Sequence, residues 1–121
     1  MLIKFSKAAI ACLLLQWSVL ALAHTAAIST SPKTGAVLDS SPAEITITFK
    51  EAARLTSVIV QQEGKPDRKL EFAPSTSAAE FKIAHPQLEV GRSHVRWTAL
   101  SKDGHVVKGL IDLTVKPVAA N

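Results

Sequence analysis

From residue 44 onward the chain is written in alternation. Ile45, Ile47 and Phe49 fall on one side of segment 44–49, with Thr46 and Thr48 on the other. A repeat of two marks a strand with one face in a core and the other in water. The same period returns at 80–83 (Phe81, Ile83), at 93–100 (Val95, Trp97, Ala99) and at 110–115 (Ile111, Leu113, Val115). Residues 57–62 form a β-branched run, and 68–72 set Leu70 and Phe72 on one side. A first strand at 26–29 makes seven. Residues 51–55 are read as a single helical turn between two of them.

Turn residues punctuate these segments: Ser31-Pro32-Lys33-Thr34-Gly35, Ser40-Ser41-Pro42, Glu63-Gly64-Lys65-Pro66-Asp67, Pro74-Ser75, His85-Pro86 and Asp103-Gly104. Short, evenly spaced strands with half-buried alternation predict antiparallel sheets in an all-β, Ig-like sandwich, with Trp97 at its centre.

The first stretch obeys a different rule. Lys4 and Lys7 precede an apolar run over 8–22, which ends in Ala21-Leu22-Ala23. A basic flank, an apolar middle and a small-x-small end predict a secretory signal peptide over 1–23, cut before His24. The run is shorter than the roughly 20 apolar residues a spanning helix needs. The predicted organisation is therefore a signal peptide, 1–23, and one domain, 24–121, delivered to the periplasm.

Cleavage changes the composition. Removing residues 1–23 from the 121 leaves 98, with 12 Lys and Arg against 10 Asp and Glu, a net charge of +2. That balance gives no argument for nucleic acid. Cys12 and Met1 are lost with the leader, so residues 24–121 contain no sulfur. This suits an oxidising compartment and removes every soft metal ligand.

The chemistry left to consider lies in four histidines. His24 becomes the first residue after cleavage. Its α-amine and its own Nδ1 can close a six-membered chelate ring on one metal ion, and the amine's ordinary pKa of about 7.7–8.0 lets a metal displace its proton near neutrality. Two nitrogens from one residue favour the tetragonal site of Cu(II). In Asp103-Gly104-His105 a carboxylate and an imidazole stand two residues apart, on one side of an extended backbone, with Gly104 free to bend. The same tripeptide between alternating strands is also an ordinary hairpin turn. His85, before a proline in a turn, and His94, out of phase with Val95 and Trp97, are read as surface residues.

Taken together these residues resemble the CopC family, periplasmic copper-binding proteins of bacterial copper resistance. The family opens its mature chain with histidine and continues into a Ser/Thr-x-Pro-x-x-Gly turn; here these are His24 and Thr30-Ser31-Pro32-Lys33-Thr34-Gly35. A Phe-x-Glu strand end follows as Phe49-Lys50-Glu51. The family's C-terminal motif is met in spacing by Trp97, Ser101, Asp103, His105 and Gly109. The resemblance implies a seven-stranded, Greek-key, cupredoxin-like or Ig-like sandwich or barrel with one Cu(II) per mature chain. It implies His24 (amine and imidazole), Asp103 and His105 as ligands, giving three nitrogens and one oxygen, and a CopD-type inner-membrane protein as partner. Some members add a methionine-rich Cu(I) site; residues 61–80 hold neither Met nor His, so no such site is expected. Ser93 stands where members often have tyrosine.

Three functions compete. The first is a Cu(II) carrier or buffer without catalytic activity. The second is a copper monooxygenase built on a histidine brace, which an anionic Asp103 and the few aromatics of residues 24–121 disfavour. The third is a metal-free Ig-like interaction domain, which would follow from cleavage elsewhere.

Overall fold

A computed structural model describes residues 27–118 of the chain. The signal-peptide expectation for 1–23 and the first candidate ligand, His24, lie outside the described residues. Seven strands follow in order: β1 (Ala27–Ser31), β2 (Ala36–Leu38), β3 (Glu44–Gln62), β4 (Arg68–Lys69), β5 (Ala78–Ala84), β6 (Gly91–Leu100) and β7 (Val106–Val115). No helix among the described residues is long and apolar enough to cross a membrane.

The expected number of strands is met, but not by the same seven. The segments read as 44–49 and 57–62 are one 19-residue strand, β3. The helical turn expected over 51–55 is extended backbone. Ala53 and Leu55 keep the period of two and are buried, and they pair with Ala78 of β5 and Ala99 of β6. Pinned to both partners, the segment has no freedom to coil. The seventh strand is instead β2, which pairs with β7 in parallel, through Ala36↔Leu113 to Leu38↔Val115. The strand expected over 68–72 shrinks to two residues, although Leu70 and Phe72 do turn inward as anticipated.

β3 organises the molecule because it belongs to both faces of the curled sheet. Its first half lies between β1 and β5, and its second half pairs with β4 and β6, with β7 and β2 beyond. Its inward set changes parity on the way: Ile45, Ile47, Phe49, Ala53 and Leu55 are odd, Val58 and Val60 even. The switch is a β-bulge. Leu55 opposes Ala99 and Ser57 opposes Thr98, which leaves Thr56 as the extra residue. The Thr56 hydroxyl donates to the Thr98 carbonyl at 3.0 Å.

The core lies between the two faces. Ile45, Ile47, Phe81, Ile83, Val58, Val95, Ile111 and Leu113 are completely buried; each contributes about 1.5–3 kcal/mol relative to exposure. Trp97 sits edge-on to Phe49 at 5.3 Å between ring centroids, and Phe49 edge-on to Phe81 at 5.9 Å. Trp97 is paired across the ladder with Gly109. A Cβ built on Gly109 would lie 2.1 Å from the Trp97 ring, so glycine is required for the ring to occupy that space. Ser93 is fully buried, and its hydroxyl finds no hydrogen-bond partner among the described residues.

Candidate metal centre

Asp103 and His105 lie in the five-residue turn joining β6 to β7, closed by the Leu100↔Val106 pair. It is a true hairpin turn. The Ser101 amide donates to the His105 carbonyl at 2.8 Å, and the Gly104 amide to the Ser101 carbonyl at 2.9 Å. Gly104 has φ 90°, a conformation that costs glycine nothing. The two readings of Asp103-Gly104-His105 are therefore compatible. The side chains meet because the turn folds them together, not because the backbone is extended: Asp103 Oδ2 lies 3.0 Å from His105 Nδ1.

Ser101 completes the arrangement. Its hydroxyl donates to Asp103 Oδ1 and accepts the His105 backbone N–H at 3.1 Å. One hydroxyl thus ties the carboxylate to the backbone of the imidazole it faces. The Ser101 hydrogen bond holds the Asp103 carboxyl below its ordinary range against an opposing desolvation, with lesser help from the charge and ring N–H of His105. Both side chains are open to water, His105 at 79% and Asp103 at 69% exposure. With Nδ1 facing the carboxylate, the outward Nε2 is the nitrogen left for a metal. Sequence reasoning gave Ser101 no role of its own, although its two-residue offset from Asp103 suits a serine hydroxyl bonding a nearby side chain.

Among the described residues no group of three or more His, Cys, Asp or Glu could hold a metal ion. Asp103 and His105 are a pair, so a closed site needs donors from elsewhere. β1 starts with Ala27 opposite Phe49, and β6 ends with Leu100 opposite Arg54. The start of β1 and the end of β6, which leads into the turn bearing His105, thus meet β3 five residues apart, where it crosses between the two faces.

The other histidines are as anticipated. His85 is an exposed turn residue with φ 48°. His94 points outward from β6, but it is not idle: its Nδ1 contacts Asp112 Oδ1 on β7, directly opposite in register.

A CopC domain model matches residues 27–116. The CopC of Methylosinus trichosporium OB3b superposes with a TM-score of 0.65 at 24% identity, covering 81% of this chain and 99% of that one. Selenomethionine PcoC, a copper resistance protein from Escherichia coli, gives 0.58 at 22%, covering 74% and 98%. A second PcoC structure, of a protein described as a methionine-rich copper resistance protein, gives 0.56 at 24%, covering 78% and 100%. At these identities the likeness is one of fold. No curated protein matches the chain significantly by sequence. The family match spans β1 to the end of β7 and takes in Trp97, Ser101, Asp103, His105 and Gly109, and on that ground the chain belongs to the CopC family.

Proposed function

We propose that residues 24–121 act in the periplasm as a Cu(II)-binding protein of copper resistance, holding one ion and buffering or delivering it without catalysing a reaction. The ligands in this reading are the His24 α-amine and Nδ1, His105 through Nε2, and Asp103. Asp103 Oδ2 faces Nδ1, the side of the ring away from Nε2, so in this reading the carboxylate turns from the ring to reach an ion bound at Nε2. The single observation that carries the reading is the Ser101–Asp103–His105 turn, with an anionic carboxylate and an imidazole edge facing water. The register supports it further. His24 is three positions before Ala27, a reach of about 10 Å when extended, and the strand positions opposite Ala27 and Leu100 are Phe49 and Arg54 of the same strand. The donor set contains no sulfur, which favours Cu(II) over Cu(I). A CopD-type membrane protein is the proposed recipient.

The test is a single-residue extension before His24. It leaves the imidazole in place but turns the amine into an amide and breaks the chelate ring. Titration calorimetry should find one Cu(II) per chain beginning at His24, with the extended chain binding far more weakly. Affinity should fall as the pH drops through the histidine range near about 6.5, because protons compete for the amine and both imidazoles. Equal affinity in both forms would remove His24 from the site.

A further inference from the structure

The outer face of the β3–β6–β7 sheet departs from the polar surface expected of a sandwich. Register places its side chains in rows across the sheet. Lys69, Ile59, Arg96 and Leu110 form one row, and Ser57, Thr98 and Lys108 the next. Arg54, Leu100 and Val106 form a third, which closes the turn that carries Asp103 and His105. Leu110 is 49% exposed and Val106 61%. Ile59, Arg96, Lys108 and Leu110 also line a groove of about 680 Å³.

Charge on this face is one-sided. Its two carboxylates are engaged: Asp112 by His94 and, at 3.6 Å, by Arg92, and Asp67 by the Gln61 amide at 3.1 Å. Among the described residues no carboxylate lies within ion-pair distance of Arg54, Lys69, Arg96 or Lys108. Arg96 makes one hydrogen bond, to the neutral Gln61 carbonyl at 3.1 Å. Arg96 and Lys108 are diagonal neighbours across β6 and β7, roughly 7–8 Å apart or a little less at Cβ. Like charges at that spacing repel until an anion lies between them. Counting Arg92, five cations face two carboxylates here, whereas residues 24–121 as a whole are nearly balanced at 12 against 10. The remaining surface is therefore slightly acidic, and the cations are concentrated where apolar side chains are bare.

We propose that this face docks an acidic segment of a partner protein, with carboxylates meeting Arg96, Lys108 and Lys69 and apolar side chains covering Leu110, Ile59 and Val106. Exposed leucine and valine between unpaired cations fit a peptide that mixes both characters. Bulk anions would satisfy only the charge. A segment seated there lies beside the turn of Asp103 and His105, yet its docking needs no metal.

The experiment uses ¹⁵N-labelled protein without metal and a blocked peptide alternating glutamate and leucine. Amide shifts should move along β6 and β7, weaken several-fold between about 0.05 and about 0.3 M salt, and be absent with a lysine–leucine peptide. The double variant Arg96→Glu/Lys108→Glu should bind about tenfold or more weakly, as reversal of two contacting charges predicts. Lys82→Glu/Lys116→Glu changes the net charge equally on other surfaces and should leave binding unchanged. Equal weakening in both variants, or shifts elsewhere on the molecule, would overturn the proposal. Binding to phosphatidylglycerol vesicles without binding the peptide would overturn it too, in favour of a membrane.

Discussion

At the scale of single residues, Ser101 decides how the hairpin turn presents its two functional groups. Its hydroxyl faces Asp103 on one side and the His105 amide on the other. Replacing Ser101 by Ala removes the largest cause of the lowered Asp103 pKa, which should rise toward the ordinary aspartate value near about 4. The sign follows from the direction of the shift. A depressed carboxyl stabilises the folded turn above the ordinary range and loses that contribution as pH falls through the folded value. NMR titration of Asp103 measures the rise directly. Copper affinity should fall in the same variant by about 10–100-fold, the usual cost of losing a group that orients a ligand, and Ser101→Thr should restore both. Unchanged titration in Ser101→Ala would show that the hydroxyl does not set the carboxylate. Asp103 and His105 were legible from sequence as a tripeptide with the right donors. Ser101 was legible as a motif position but not in its role, because a hydroxyl two residues away carries meaning only once the turn brings it back.

Among the elements, the strands that alternate cleanly were readable and the irregular ones were not. Segments 80–83 and 93–100 sit within β5 and β6 because one face of each is buried, and burial enforces the period. β2 has three residues and an exposed Val37, too little pattern to announce a strand. The unity of β3 was hidden by the bulge at Thr56, since one inserted residue reverses which parity faces inward and breaks the alternation in two. β7 was readable from Leu110 onward but not before it. Gly109 interrupts the apolar face where the Trp97 ring fills the space of a side chain. Gly109→Ala should therefore destabilise the protein by about 1–3 kcal/mol, the usual cost of overpacking. Urea unfolding followed by Trp97 fluorescence measures this, and an unchanged midpoint would mean that the ring moves aside freely.

For the molecule as a whole, the sandwich was legible because turns and strands recur at the spacing of a small all-β domain. That the start of β1 and the end of β6 reach the same stretch of β3 was not, because it depends on pairings between residues far apart in sequence. Those pairings converge on β3, and this has a consequence for how the protein comes apart. A sandwich whose sheets are joined only by loops can shed one sheet and keep the other. Here the backbone of a single strand runs unbroken through both, and either half loses its neighbours when the other is released. Opening should be all-or-none. Native-state hydrogen exchange should give amides at Ile45–Phe49 and at Val58–Val60 one common free energy, that of global unfolding, with equal denaturant dependence. Two distinct plateaus would mean that β3 acts as a hinge between separate foldons. A common plateau would mean that no partly opened form exposes the core strands.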